Sequence, residues 1–181
     1  MARTSKKNEA LVAALDIVQD AGVNAVTYDS LSQATGMTKS GLIYHFPTRH
    51  DLLVEMHRFC AQRWEAELEK LGGGRAEELT RTQRQRALVL SLSKNDPLVE
   101  LLMSIHAQSH PEFQAIWKEV DDEWMPDPSR DVSDEAELQE LIVAVLSMGL
   151  WVHDHVSETH LSAGNRKKIL EHVLRILDAD A

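Results

Sequence analysis

Four histidines in the second half of the chain, His106, His110, His153 and His155, carry the chemistry that first invites a metal reading. Histidines that ligate one ion from a helix must share a face, and these spacings do not deliver that. His106 and His110 stand four apart, but His110 precedes Pro111 and fits the cap of the next helix, while His153 and His155, two apart, point away from each other. Asp154 and Glu158, four apart and flanking His155, have the form of a paired-carboxylate acid–base site. On the exposed side of a helix, however, such groups are ordinary solvated charges. The sequence has no glycine-rich phosphate loop, no GxSxG turn and no HExxH. Its single cysteine, Cys60, excludes an intramolecular disulfide and a CxxC motif, and reads as a small core residue. The expectation is a protein that is not an enzyme and carries no metal and no cofactor.

A different chemistry runs through residues 27–53, TYDSLSQATGMTKSGLIYHFPTRHDLL. The Thr27 hydroxyl can accept orphan amides of a helix starting at Tyr28, and Asp29 favours its positive end. Gly36 closes that helix, Thr38 caps a second one over residues 39–45, and Pro47 forbids its simple continuation. Leu31 and Ala34 pack the first helix inward, and Leu42 and Phe46 anchor the second. Lys39, Ser40, Tyr44 and His45 are thereby left on an exposed polar face. Two short helices about a tight turn are the geometry with which a helix-turn-helix lays its second helix in the major groove.

The elements around this motif are all helical. Leu11, Ala14, Leu15 and Val18 form one stripe of a first helix over residues 5–21, stopped by Gly22. Thr48 with Asp51 resembles a capping box opening a long helix to about residue 71, before the break Gly72-Gly73-Gly74. Further helices are expected over residues 75–93; 97–109, with Asp96 as cap and Pro97 at its first position; and 111–124, behind His110. Two strongly apolar ones follow over 133–158 and 162–177, each behind a serine cap. No stretch alternates apolar and polar residues between hairpin turns, so the fold class is all-α with about nine helices.

Charge distribution separates two functional parts. The 181 residues carry a net charge of −10, an unpromising balance for a partner of nucleic acid. Residues 1–50, however, set Arg3, Lys6, Lys7, Lys39 and Arg49 against Glu9, Asp16, Asp20 and Asp29, a net +1 that leaves −11 for the remainder. Phosphate contacts need local cations, not a basic whole. With 43% hydrophobic and 27% charged residues the chain can build a packed core. No apolar run approaches the roughly 18–20 residues of a membrane span, and no signal-like stretch follows the N-terminus, so a cytoplasmic protein without a membrane is expected.

Residues 9–53 resemble the TetR-family signature of bacterial transcriptional regulators; beyond them the likeness is generic. The resemblance implies a DNA-binding domain over residues 1–47 and a helical regulatory, ligand-binding and dimerisation domain over 48–181. It implies that Thr38, Lys39 and Tyr44 meet bases or phosphates of a double-stranded operator, that Thr27 meets a phosphate through its helix N-terminus, and that Arg49 meets the backbone. Arg3, Lys6 and Lys7 would add phosphate contacts. One departure is that Lys39 is the only formal cation of the recognition helix, so base readout leans on hydroxyls and Tyr44, with modest and salt-sensitive affinity.

The family also keeps a mostly apolar ligand cavity between its C-terminal helices, which here would draw on Met103, His106, Phe113, Trp117, Trp124, Met148 and Trp151 for a small apolar or amphipathic ligand. The last two helices are too apolar for chain ends left in water. Leu138, Leu141, Val145, Leu146, Gly149, Val152, Ile169, Val173 and Leu177 are the expected homodimer interface, with Gly149 allowing close approach. The expected function is a repressor released from a palindromic operator by its ligand. The alternatives are a regulator without a small-molecule effector and a helical protein-interaction module, which absence of operator binding would favour.

Overall fold

Helices form where the sequence supplies caps and apolar stripes. In the computed structural model, which describes residues 5–94 and 97–178 and leaves the side chains of Asp154 and Asp178 aside, nine α-helices are found among the described residues. They are α1 (Lys6–Ala21), α2 (Tyr28–Thr35), α3 (Lys39–His45), α4 (Arg49–Gly72), α5 (Arg81–Leu92), α6 (Leu98–Ala107), α7 (Pro111–Trp124), α8 (Glu135–Val156) and α9 (Ala163–Asp178). Arg3, the proposed cap Asp96 and the Asp154 carboxylate lie outside the described residues.

Most expected caps are made. Ser5 accepts from the Asn8 amide, Thr27 from Ser30, Thr38 from Gly41, and Thr48 exchanges hydrogen bonds with Asp51 at the start of α4. Three boundaries differ. The helix expected over residues 75–93 is divided into a 3-10 turn at Ala76–Glu78 and α5, because Thr80 and Gln83 form a capping box that restarts the chain. Asp134, not Ser133, caps α8; Ser133 instead donates its amide and hydroxyl to Glu137. Pro97 stands just before α6 as its cap, not inside it.

The chain divides into two compact units, one of residues 5–62 with 97–117 and the other of residues 63–94 with 118–178. Both α4 and α7 pass through the division points. In the first unit α1 packs against α2 and α6, and α2 against α3. Ala10, Ala14, Val18, Val26, Leu31, Leu42 and Phe46 are all fully buried there. Complete burial of a side chain such as Leu42 or Phe46 contributes about 1.5–3 kcal/mol, which fixes α3 by its inner face and leaves the other face free. The α6 amide of Val99 donates to the Gln19 side chain of α1 at 2.8 Å.

In the second unit α5 packs against α8 and α9, around a core of Val89, Val143, Val173 and Leu177. Residues 135–153 of α8 are, by length and composition, long and apolar enough to cross a membrane, contrary to the expectation from the sequence. The helix is nevertheless tied into its unit: Val143, Ala144 and Ser147 are buried, and Glu140 pairs with Arg81 at 3.0 Å.

Candidate nucleic-acid interface and a histidine cluster

The turn between α2 and α3 is built by side chains that bond backbone. Gly36 ends α2 at φ 69°, in the left-handed region where a glycine carries no Cβ penalty. Ser32 donates to the Met37 carbonyl at 2.6 Å, and Thr35 donates to that of Leu31 at 2.7 Å while accepting from the Met37 amide at 3.2 Å. At the far end of α3, Tyr28 of α2 donates its hydroxyl to the Phe46 carbonyl at 2.6 Å. Burial, with the nearby Asp51 charge, pushes the Tyr28 phenol above its ordinary pKa, so it stays a donor at neutral pH. The helix α3 is therefore held at both ends by α2.

Its outward face carries Lys39, Ser40 and Tyr44 as the sequence predicts, whereas His45 is partly withdrawn from it. Tyr44 is 83% exposed and Ile43 47%, Lys39 and Ser40 are exposed, and His45 is half-buried with its ring edge-on to Tyr44. Thr27 and Thr38 are exposed at the two helix N-termini, where their oxygens serve as caps. Two cations have intramolecular partners that the sequence did not disclose. Lys39 pairs with Asp29 of α2, and Lys7 with Glu55 of α4. Arg49 donates from Nε to the Val26 carbonyl at 3.2 Å and from a terminal nitrogen to Val23 at 3.3 Å. It thus fastens α4 to the segment that leads into α2.

A second cluster in the same unit centres on Phe113, whose ring meets four imidazoles. Centroid distances are 4.5 Å to His57, 5.2 Å to His50, 5.4 Å to His106 and 5.2 Å to His110. His57 is fully buried; it accepts from the Trp117 indole at 2.9 Å and lies 3.0 Å from Nδ1 of His106. Burial first, and His106 second, push the His57 imidazole down to about 4. Burial, followed by Arg49, lowers His106 as well. Of the expected ligand residues the structure brings together His106, Phe113 and Trp117, with Met103 buried in the same unit. His57 and His50 were missed; the available signal was their seven-residue spacing, which returns both to one face of α4.

Trp124, Met148 and Trp151 belong to the second unit. Trp124 is buried, Met148 is 37% exposed, and Trp151 lies 5.9 Å from the ring of His155. A cavity of about 170 Å³ is bordered there by Arg81, Arg84, Gln85, Trp124 and Glu140 among others, and one of about 130 Å³ by Arg130, Asp131, Glu137 and Leu141 among others. Their walls carry more charge than the apolar pocket anticipated. The Gln85 amide nitrogen and Trp124 indole nitrogen are buried without a hydrogen-bond partner among the described residues.

The expected dimer residues separate by burial. Leu138, Val145, Leu146 and Ile169 are 37–62% exposed, Gly149 is exposed, and Leu141 and Val152 are half-buried. Val173 and Leu177, only 6% exposed each, face the core of their own chain and do not belong to an outward surface. Helical periodicity identified an apolar stripe on α9 but could not tell which neighbour it faces.

Residues 10–56 match the family model described as bacterial regulatory proteins, tetR family. Comparison of the whole sequence with curated proteins gives no match. Among solved structures, a TetR transcriptional regulator from Legionella pneumophila is similar over 99% of both chains at 20% identity and a TM-score of 0.62. A transcriptional regulator from Rhodococcus sp. Rha1 is similar over 97% of this chain and 95% of its own, at 17% identity and a TM-score of 0.64. A regulator from Saccharomonospora viridis, solved in complex with choline, is similar over 96% and 93%, at 18% identity and a TM-score of 0.61. At these identities the structures speak to the fold, and the head speaks to the family. The match lies on the exposed helix-turn-helix, so residues 10–56 form a head similar to that of bacterial regulatory proteins of the tetR family, and the full length is folded as solved regulators of that kind are.

Proposed function

We propose that the protein is a cytoplasmic repressor that binds a near-palindromic operator as a homodimer and is released by a small ligand held in its C-terminal helices. Residues 1–47 are the DNA-binding domain and 48–181 the regulatory domain, a division by role. The observation that carries this reading is the outward stripe of α8, where Leu138, Ile142, Val145 and Leu146 stand 37%, 47%, 62% and 51% exposed. Contiguous apolar surface of this kind marks an association site. A twofold pair of such chains gives two recognition helices, and two half-sites about 34 Å apart follow from that symmetry.

Within each head, Tyr44, Lys39, Ser40 and His45 read base edges and phosphates, while Thr27 and Thr38 present helix N-termini to phosphate. Arg49, spent on Val23 and Val26, acts chiefly by positioning the head. A ligand site is supported by the 170 Å³ cavity and by the partnerless Gln85 and Trp124 donors beside it, which favour an occupant carrying a hydrogen-bond acceptor. The choline-bound Saccharomonospora viridis regulator supports a small effector in general, not choline in particular. Release requires the ligand to favour the conformation with weaker operator affinity.

Selection of bound duplexes from random DNA tests this, repeated with a panel of small polar and amphipathic compounds. Enrichment of an inverted repeat whose binding one compound weakens is the expected result. Enrichment of single half-sites, or retention unaffected by every compound, overturns the dimeric and the ligand-released parts respectively.

A further inference from the structure

We propose that His50, His110 and Glu112 form a divalent transition-metal site that takes Zn2+, Co2+ or Ni2+. One ligand atom from each residue lies within 4.8 Å of the other two. The closest pair is His50 Nε2 and Glu112 Oε2, at 2.9 Å, and the rings of His50 and His110 are 4.7 Å apart, edge to face. A tetrahedral ion with bonds of about 2.0–2.2 Å holds its ligand atoms roughly 3.3–3.6 Å apart. The set therefore closes on an ion by small side-chain rotations.

Its supports are already in place. Phe113 stacks on His50, with 26° between the ring planes, and lies against His110 from the same unit. His110 Nδ1 accepts one long hydrogen bond, 3.3 Å, from the Glu112 amide, and ligation through either ring nitrogen sacrifices only that bond. Two imidazoles and one carboxylate suit borderline ions such as zinc and not Mg2+ or Ca2+, and leave a fourth position for water. All three residues are exposed, so an ion enters directly from solvent. An ion bound there ties the first turn of α4, one residue beyond Arg49, to the first turn of α7.

This departs from the expectation of no metal because the sequence offered His110 with the wrong partner. His106 faces His57, and the residue that meets His110 is His50, 60 positions earlier.

The test uses the full chain without a histidine tag. Equilibrium dialysis with Zn2+ is expected to give one bound ion per chain, and Co2+ to develop visible absorption bands of an imidazole-liganded centre. His50→Ala and His110→Ala should each weaken Zn2+ binding at least tenfold, Glu112→Gln less, and the exposed His160→Ala not at all, with far-ultraviolet circular dichroism showing every variant folded. Unchanged Zn2+ binding in a folded His50→Ala/His110→Ala double variant, or no Co2+ bands in the wild type, overturns the site. Neither measurement involves DNA, so failure of operator binding leaves it standing.

Discussion

The indole N–H of Trp117 donates to Nδ1 of His57 across 2.9 Å. That bond fixes a tautomer: with Nδ1 accepting, the proton of a neutral His57 sits on Nε2 and donates to Nδ1 of His106, 3.0 Å away. His106 then carries its own proton on Nε2. The three residues form a directional chain, Trp117 to His57 to His106, in which the His57 ring uses one donor and one acceptor. An imidazolium at His57 has no acceptor to offer Trp117, so charging it costs both desolvation and the indole bond.

Stability should therefore fall in mild acid. The His57 pKa drops from 6.5 to about 4 on folding, so between those values the unfolded chain binds the extra proton. Its contribution is complete above pH 6.5 and is lost as pH falls toward 4. Discounted for partial screening, the loss is on the order of 1–3 kcal/mol. Chemical denaturation from pH 7 to 4 should show this slope in the wild type and a flatter one in His57→Gln, which keeps an acceptor for Trp117. Parallel profiles would remove His57 from the account.

Operator affinity should respond oppositely to two changes at the Lys39–Asp29 pair. Lys39→Ala removes a cation and should lower the salt dependence by about one phosphate equivalent. Asp29→Asn releases Lys39 from its partner and removes an anion from the DNA-facing surface, so binding should tighten. Tyr44→Ala, at a side chain of α3 that is 83% exposed, should weaken binding about tenfold or more, the size of a lost base contact. Fluorescence anisotropy on a selected duplex measures all three. Loss of affinity in Asp29→Asn would mean that the pair positions Lys39 and does not restrain it.

Which parts were legible follows from how local their signals are. Thr27, Gly36, Thr38, Thr48 and Pro47 act within four residues of their own position, so the helix-turn-helix and its exposed face could be read directly. Thr80 was equally local but went unread because Arg75–Ser93 looks continuously helical by composition. Long-range facts were out of reach. Nothing in the spacing of His50 and His110 reveals that the start of α7 brings both onto Phe113, or that Lys39 reaches Asp29. The buried His57 was hidden for the same reason, since its partners lie 49 and 60 residues away.

Charges placed on the two terminal helices should have different consequences. Val145, 62% exposed on α8, can accept a glutamate without disturbing its own chain, so Val145→Glu should yield a folded monomer. Val173, 6% exposed in the core with Val89 and Val143, cannot. An unpaired carboxylate there costs several kcal/mol, so Val173→Glu should unfold or aggregate. Analytical ultracentrifugation with circular dichroism separates the outcomes. A dimeric Val145→Glu protein would take the α8 stripe out of the interface.

Asp121 provides a counterweight to His57 in the pH profile. Burial, with the adjacent Asp122 adding to it and Lys118 opposing, raises its carboxyl from 3.8 to about 6. Here the folded chain binds the extra proton, so stability is present at low pH and is lost as pH rises through that window. At pH 7 the ionised group carries the whole penalty, about 1–2 kcal/mol after allowance for partial exposure. Asp121→Asn keeps the size and removes the charge, and should raise stability by that amount at pH 7 while matching the wild type below pH 3.8. Denaturant midpoints at pH 7 and pH 3.5 make the comparison. An equal gain at both pH values would trace the effect to amide hydrogen bonding, and no gain at either would show the carboxylate to be well solvated.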